Sequence, residues 1–124
     1  MNLVTYALRT VSESNRREHW APRAKRVKAH RLVAFAYVTR HLLCPLPIVV
    51  TLVRIAPRLL DDDNLRGCLK ATRDGVADAF GVNDRDPRVT WRYGQQRGKP
   101  GAYAVEIGVW RLGTEATAVA GDKP

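Results

Sequence analysis

Cysteine is nearly missing from this chain, with only Cys44 and Cys68 in 124 residues. Two thiols cannot build a disulfide framework, and by themselves they cannot make a structural zinc site. The pair reads as reduced cysteine in a cytoplasmic protein. A membrane-length apolar run is lacking too. The longest candidate, Leu42 to Val53, is interrupted by Pro45 and Pro47 and falls short of the roughly 20 residues that span a bilayer. No basic-then-apolar leader opens the chain, and no segment repeats. Aromatic residues are few, at 7%, and give no stacking pair of the kind an RNA-binding sheet presents. Three histidines, His19, His30 and His41, are present, but no pair of them sits beside carboxylates at metal-ligand spacing.

Acid is scarce in one half only. The chain holds 21 Lys and Arg against 12 Asp and Glu, a net charge of +9. Residues 1–60 carry eleven of the cations and only Glu13 and Glu18 as anions; residues 61–124 carry ten of each sign. The first half is therefore an attractor for a polyanion, with nucleic acid the expected partner. The second half sets a local acidic cluster inside that positive field.

The apolar pattern expects one α+β (mixed α/β) domain over residues 1–112, followed by a polar tail over 113–124. Leu3 to Leu8 reads as a strand. Pro22 suits a first helical turn, and Val27, Ala34, Val38 and Leu42 recur at helical spacing to about Leu43. Ile48 to Ile55 reads as a buried strand. A second helix is expected from about Asp63 to Phe80, stopped by Gly81. Val89 to Gly94 and Tyr103 to Trp110 read as strands around an exposed hairpin tip, Gln95 to Gly101. The order is β-α-β-α-β-β, one sheet packed by two helices.

The run Asp61-Asp62-Asp63-Asn64 opens the second helix. Asp at a helix start is a favoured cap and complements the helix dipole, so one aspartate there needs no further role. Three adjacent like charges are a poor way to make one cap. If the chain is extended at that point, Asp61 and Asp63 point the same way and form a hard-oxygen pair suited to Mg²⁺. A third carboxylate can come from the next loop, Asp84 or Asp86. Taking one unbroken helix at about 100° per residue from Asp63, Asp74 falls near 20°, Gly67 near 40° and Lys70 near 340°. Leu65, Cys68, Leu69, Thr72, Val76, Ala79 and Phe80 line the opposite, core-facing side. Lys70 would then contact a phosphate or stabilise developing negative charge.

Asp61-Asp62-Asp63-Asn64-Leu65, Lys70, Asp74-Gly75 and Asn83-Asp84-Arg85-Asp86-Pro87-Arg88-Val89 together resemble the RusA family of Holliday-junction resolvases. Ser14-Asn15-Arg16 before the first helix fits the same pattern. The resemblance spans roughly residues 3–111 and is specific over Asp61 to Val89. It implies a homodimeric, Mg²⁺-dependent endonuclease that nicks four-way DNA junctions in the cytoplasm of a bacterial host, encoded by a phage or prophage. It implies Asp61, Asp63 and Asp86 as metal ligands, with Lys70 and Asp74 completing the catalytic set. The family's lysine usually stands where this chain has Gly67, and Lys70 is its expected substitute, one turn on. Asn15, Arg16, Arg17, Arg23, Lys25, Arg26, Lys28 and Arg66 are the expected contacts to DNA phosphates.

Two rival readings stand beside this one. A RusA-like protein that grips branched DNA without cutting it is favoured by Gly67. A structural or regulatory phage protein whose basic face meets RNA or an acidic protein is the other. A nuclease centred on Glu106 is less attractive, because no lysine follows it two residues later.

Overall fold

The computed structural model describes residues 2–11 and 20–114, Trp20 by its backbone alone. It contains β1 (Leu3–Ala7), α1 (Trp20–His41), β2 (Ile48–Ala56), α2 (Asp62–Cys68), α3 (Lys70–Phe80), β3 (Val89–Arg97) and β4 (Ala104–Arg111). The four strands make one mixed sheet in the order β1-β4-β2-β3, so the fold is α+β.

Strand β2 is Val- and Ile-rich because it is central and covered. Its neighbours are β4, antiparallel, and β3, parallel. Ile48, Val50 and Leu52 join Val4, Tyr6, Val105, Ile107 and Val109 in one core with Ala34, Val38 and Leu42 of α1 and Leu65, Leu69 and Val76 of the other helices. Each fully buried aliphatic side chain contributes roughly 1.5–3 kcal/mol, so this row fixes which faces meet. Of the helical stripe expected for α1, Ala34, Val38 and Leu42 are buried, while Val27 is only half-buried and His30 is buried with them. Cys68 is buried, its thiol donating to the Leu65 carbonyl at 3.2 Å, and Cys44 is half-buried.

The last two strands do not form a hairpin. β4 pairs with β1 and β2, whereas β3 pairs with β2 alone. Two strands with a short connection looked adjacent in sequence, but their link passes over the end of β2 and places one on each side of it. The strand also continues through Gln95, Gln96 and Arg97, residues expected in the tip.

The long second helix is likewise two helices. Leu69 has φ −102° and ψ 4°, and its N–H turns to the carbonyls of Arg66 and Gly67. That tighter bond pattern ends α2, and Arg73 N–H to the Leu69 carbonyl begins α3. Gly81 ends α3 in the left-handed region, φ 68°, as expected of its residue type.

β1 and β2 are both antiparallel to β4 and so run parallel to each other. The chain leaves each of them toward a helix at the same edge of the sheet. α2 begins at that edge.

Candidate functional site

Asp61 stands where β2 hands over to α2. Its backbone is extended (φ −69°, ψ 170°), and its Oδ1 accepts the Asn64 N–H at 2.9 Å. It is the cap that the residue type predicts. Asp62 and Asp63 are already helical, so the alternation of a strand stops before Asp63, and the two carboxylates do not share a side for that reason. Asp62 pairs with Arg66 at 3.1 Å. Asp63 is exposed. Among the described aspartates it is the one that neither caps a helix nor meets a cation.

A second cluster gathers at the head of α3. Lys70 Nζ lies 2.9 Å from Asp74 Oδ1 and 3.1 Å from Asp84 Oδ2. Arg73 Nε reaches the same Asp84 oxygen at 3.1 Å, and its Nη2 donates to the Asp84 carbonyl at 2.9 Å. Trp91 Nε1 donates to that carbonyl as well. Partial burial works against the Lys70 charge, but its bonds to the two aspartates outweigh this and raise its pKa. The hydrogen bond from Lys70, joined by its charge and that of Arg73, holds the Asp84 carboxyl below the usual range. Lys70 and Asp74 thus meet as an i,i+4 pair.

The loop aspartate that meets Lys70 is Asp84, not Asp86. Asp86 turns onto Arg88, accepting from Nη2 at 2.8 Å, Nε at 3.1 Å and the backbone N–H at 2.9 Å. The Arg88 guanidinium first, and its N–H second, lower the Asp86 pKa to about 2. Asp86 is occupied in shaping the entry to β3, where the Val89 N–H bonds its carbonyl. Among the described residues no three His, Cys, Asp or Glu side chains are grouped closely enough to hold a metal. The expected trio Asp61, Asp63 and Asp86 is therefore not assembled. What the junction offers is three exposed carboxylates, of which Asp61 caps α2 and Asp62 pairs with Arg66. Such a set fits Mg²⁺, which binds through one or two carboxylates and keeps its waters and substrate phosphates.

The basic residues divide by position. Arg23, Lys25 and Lys28 are exposed and Arg26 half-buried on the first turns of α1. Arg31, further along, is held by Asp78 at 2.6 Å on α3. Arg23 lies about two turns nearer the helix start, roughly 12 Å at 1.5 Å per residue. Arg66 is committed differently: besides Asp62, its guanidinium lies 4.9 Å over the ring of Tyr93. Asn15, Arg16 and Arg17 lie outside the described residues, as do Ser14, His19, the side chain of Trp20 and residues 115–124 of the expected tail.

The sequence reading missed Arg73, Trp91 and Tyr93. Arg73 stacks 4.6 Å over Trp91 and donates to Tyr93 Oη at 3.0 Å. The one available signal was the alternation of aromatics on β3. No known protein-family profile and no curated protein matches the chain. No helix among the described residues is long and apolar enough to cross a membrane.

Proposed function

We infer that the chain is a structure-specific endodeoxyribonuclease of the RusA type, acting as a homodimer on four-way or branched DNA in the cytoplasm. The observation that carries this reading is Asp63. In a chain of net charge +9, every other described aspartate has a cation or a cap, yet this exposed carboxylate beside the Asp61 cap has neither. An acid left uncommitted amid surplus cations, where β2 hands over to α2, suits a metal that arrives with its phosphate substrate.

Asp61 and Asp63 would hold Mg²⁺, which when bound neutralises the scissile phosphate and activates a water for in-line attack. The first turns of α1 attract the phosphate backbone by charge, without reading sequence. Lys70 remains cationic, its pKa raised by Asp74 and Asp84, and so serves as an electrostatic partner of phosphate rather than as a base. Asp74 and Asp84 hold that ammonium at the head of α3.

The test is incubation of a synthetic four-way junction with Mg²⁺ or Mn²⁺, wild type against Asp63→Asn. Paired nicks in opposed strands are expected from wild type, falling at least roughly 100-fold in the variant. Binding without any cleavage in either metal would sink the enzyme reading. It would favour a branched-DNA-binding protein, which Gly67 at the motif lysine's place and the double commitment of Lys70 already support.

A further inference from the structure

Arg54 is out of place by composition. It follows Ile48, Val50 and Leu52 on the side of β2 that faces the helices and is only 7% exposed. An apolar residue would satisfy that row, and a buried charge without a paired anion is costly. Among the described residues no carboxylate meets it. Its Nε donates to Thr10 Oγ1 at 3.0 Å and its Nη1 to the Arg58 carbonyl at 2.6 Å.

Its partner across the strands is Gln95, the Cα neighbour of Arg54 in the parallel β2–β3 register. Gln95 grips one residue with both ends of its amide. The Leu60 N–H donates to Gln95 Oε1 at 2.9 Å, and Gln95 Nε2 donates to the Leu60 carbonyl at 2.6 Å. Both backbone groups of Leu60 are thus taken by a side chain, as a neighbouring strand would take them. The next residue is Asp61.

We propose that the Arg54–Gln95 pair is the positioning element of the acidic junction. It fixes alternate residues of the connection, 58 and 60, and so sets the direction in which Asp61 and Asp63 leave the sheet. Through Thr10 the same guanidinium ties the junction to the chain that leaves β1 for α1. Neither residue touches the phosphate or the ion; both act through Arg58 and Leu60. This assignment rests on the nuclease reading for its purpose but not for its geometry.

The experiment compares wild type with Gln95→Leu, which keeps the bulk and removes both hydrogen bonds. Gln95→Glu, which keeps the acceptor for the Leu60 N–H and loses the donor, serves as the milder variant and replaces Gln95→Leu should that one not fold. Four readouts are taken: thermal melting, binding of a labelled four-way junction in EDTA, Mn²⁺ titration by electron paramagnetic resonance, and amide exchange at Leu60 and Asn64. Expected are a folded variant, junction affinity within about twofold of wild type, Mn²⁺ affinity lower by roughly tenfold, and faster exchange at both amides. The Glu variant should fall between. Unchanged exchange at Asn64, or unchanged Mn²⁺ affinity in a folded variant, would overturn the proposal. So would equal losses of Mn²⁺ and junction binding, which mark general damage. If wild type binds neither Mn²⁺ nor the junction, the nuclease reading fails, and the Asn64 exchange still decides whether the pair holds the junction.

Discussion

Asp84 lies between Lys70 and Arg73, and its carboxyl is held below the ordinary aspartate value, first by the Lys70 hydrogen bond and then by the two positive charges. A carboxylate with a depressed pKa adds stability above its unfolded value, about 3.9, and that contribution is lost as pH falls through the folded value. Lys70→Met should therefore destabilise the protein near pH 6 by about 0.5–1 kcal/mol, the range of a solvent-screened pair. As pH falls through the depressed folded value the difference should shrink toward zero. Urea titrations of both proteins across pH 2–6 measure it, and a difference that persists at pH 2 would exclude the ion pair as its source. At Asp86 the same logic predicts that Arg88→Ala raises the carboxyl from about 2 only part of the way to the ordinary range, because the backbone N–H of residue 88 still donates to it; NMR titration reads the change. The sequence placed two aspartates two residues apart before β3, and the family resemblance chose Asp86, whereas Asp84 is the one that meets Lys70. The choice is made by contacts no spacing encodes: Asn83 Oδ1 accepts the Arg85 N–H, Arg73 and Trp91 fix the Asp84 carbonyl, and Arg88 takes Asp86.

Among the elements, β3 does the most that was illegible beforehand. Its helix-facing residues Trp91, Tyr93 and Gln95 meet Arg73, Arg66 and Leu60 in turn, so one edge strand braces α3, α2 and the loop before α2. Helix and strand types followed from periodicity and β-branched content, as the α1 stripe and β2 show. Strand partners did not, because the short link from β3 to β4 is equally compatible with a hairpin and with a crossing over β2. The break at Leu69 was hidden for a related reason: Leu65, Cys68, Leu69, Thr72 and Val76 keep a core-facing pattern through it. The packing of α1 on α3 depends on Gly75. A Cβ there would clash with the Arg31 carbonyl and approach Ala34 Cβ to 2.9 Å. Alanine gains up to about 1 kcal/mol of helix preference over glycine, but the obstacle is backbone on a packed helix, and overpacking costs roughly 1–3 kcal/mol. Gly75→Ala should lower Tm by several degrees; an unchanged or higher Tm would mean that α1 can shift to make room.

For the whole molecule the question is where a polyanion would lie. The cations that α3 neutralises, such as Arg31 with Asp78, sit away from the start of α1, whereas Lys25 and Lys28 are exposed near it. DNA that follows the first turns of α1 would be held by those lysines. Phosphate contacts release counterions, so log Kobs should fall linearly with log salt, with a slope of about −0.9 per phosphate neutralised. Replacing Lys25 and Lys28 by Gln should then make the slope for a four-way junction shallower by up to about 1.8. The same change at Arg92 and Lys99, exposed on and just beyond β3, should leave it nearly unaltered if the DNA follows α1. Equal effects from the two pairs would mean diffuse attraction to a basic protein, with no defined path along α1. A loss confined to Arg92 and Lys99 would move the DNA to the β3 edge and leave α1 to another role.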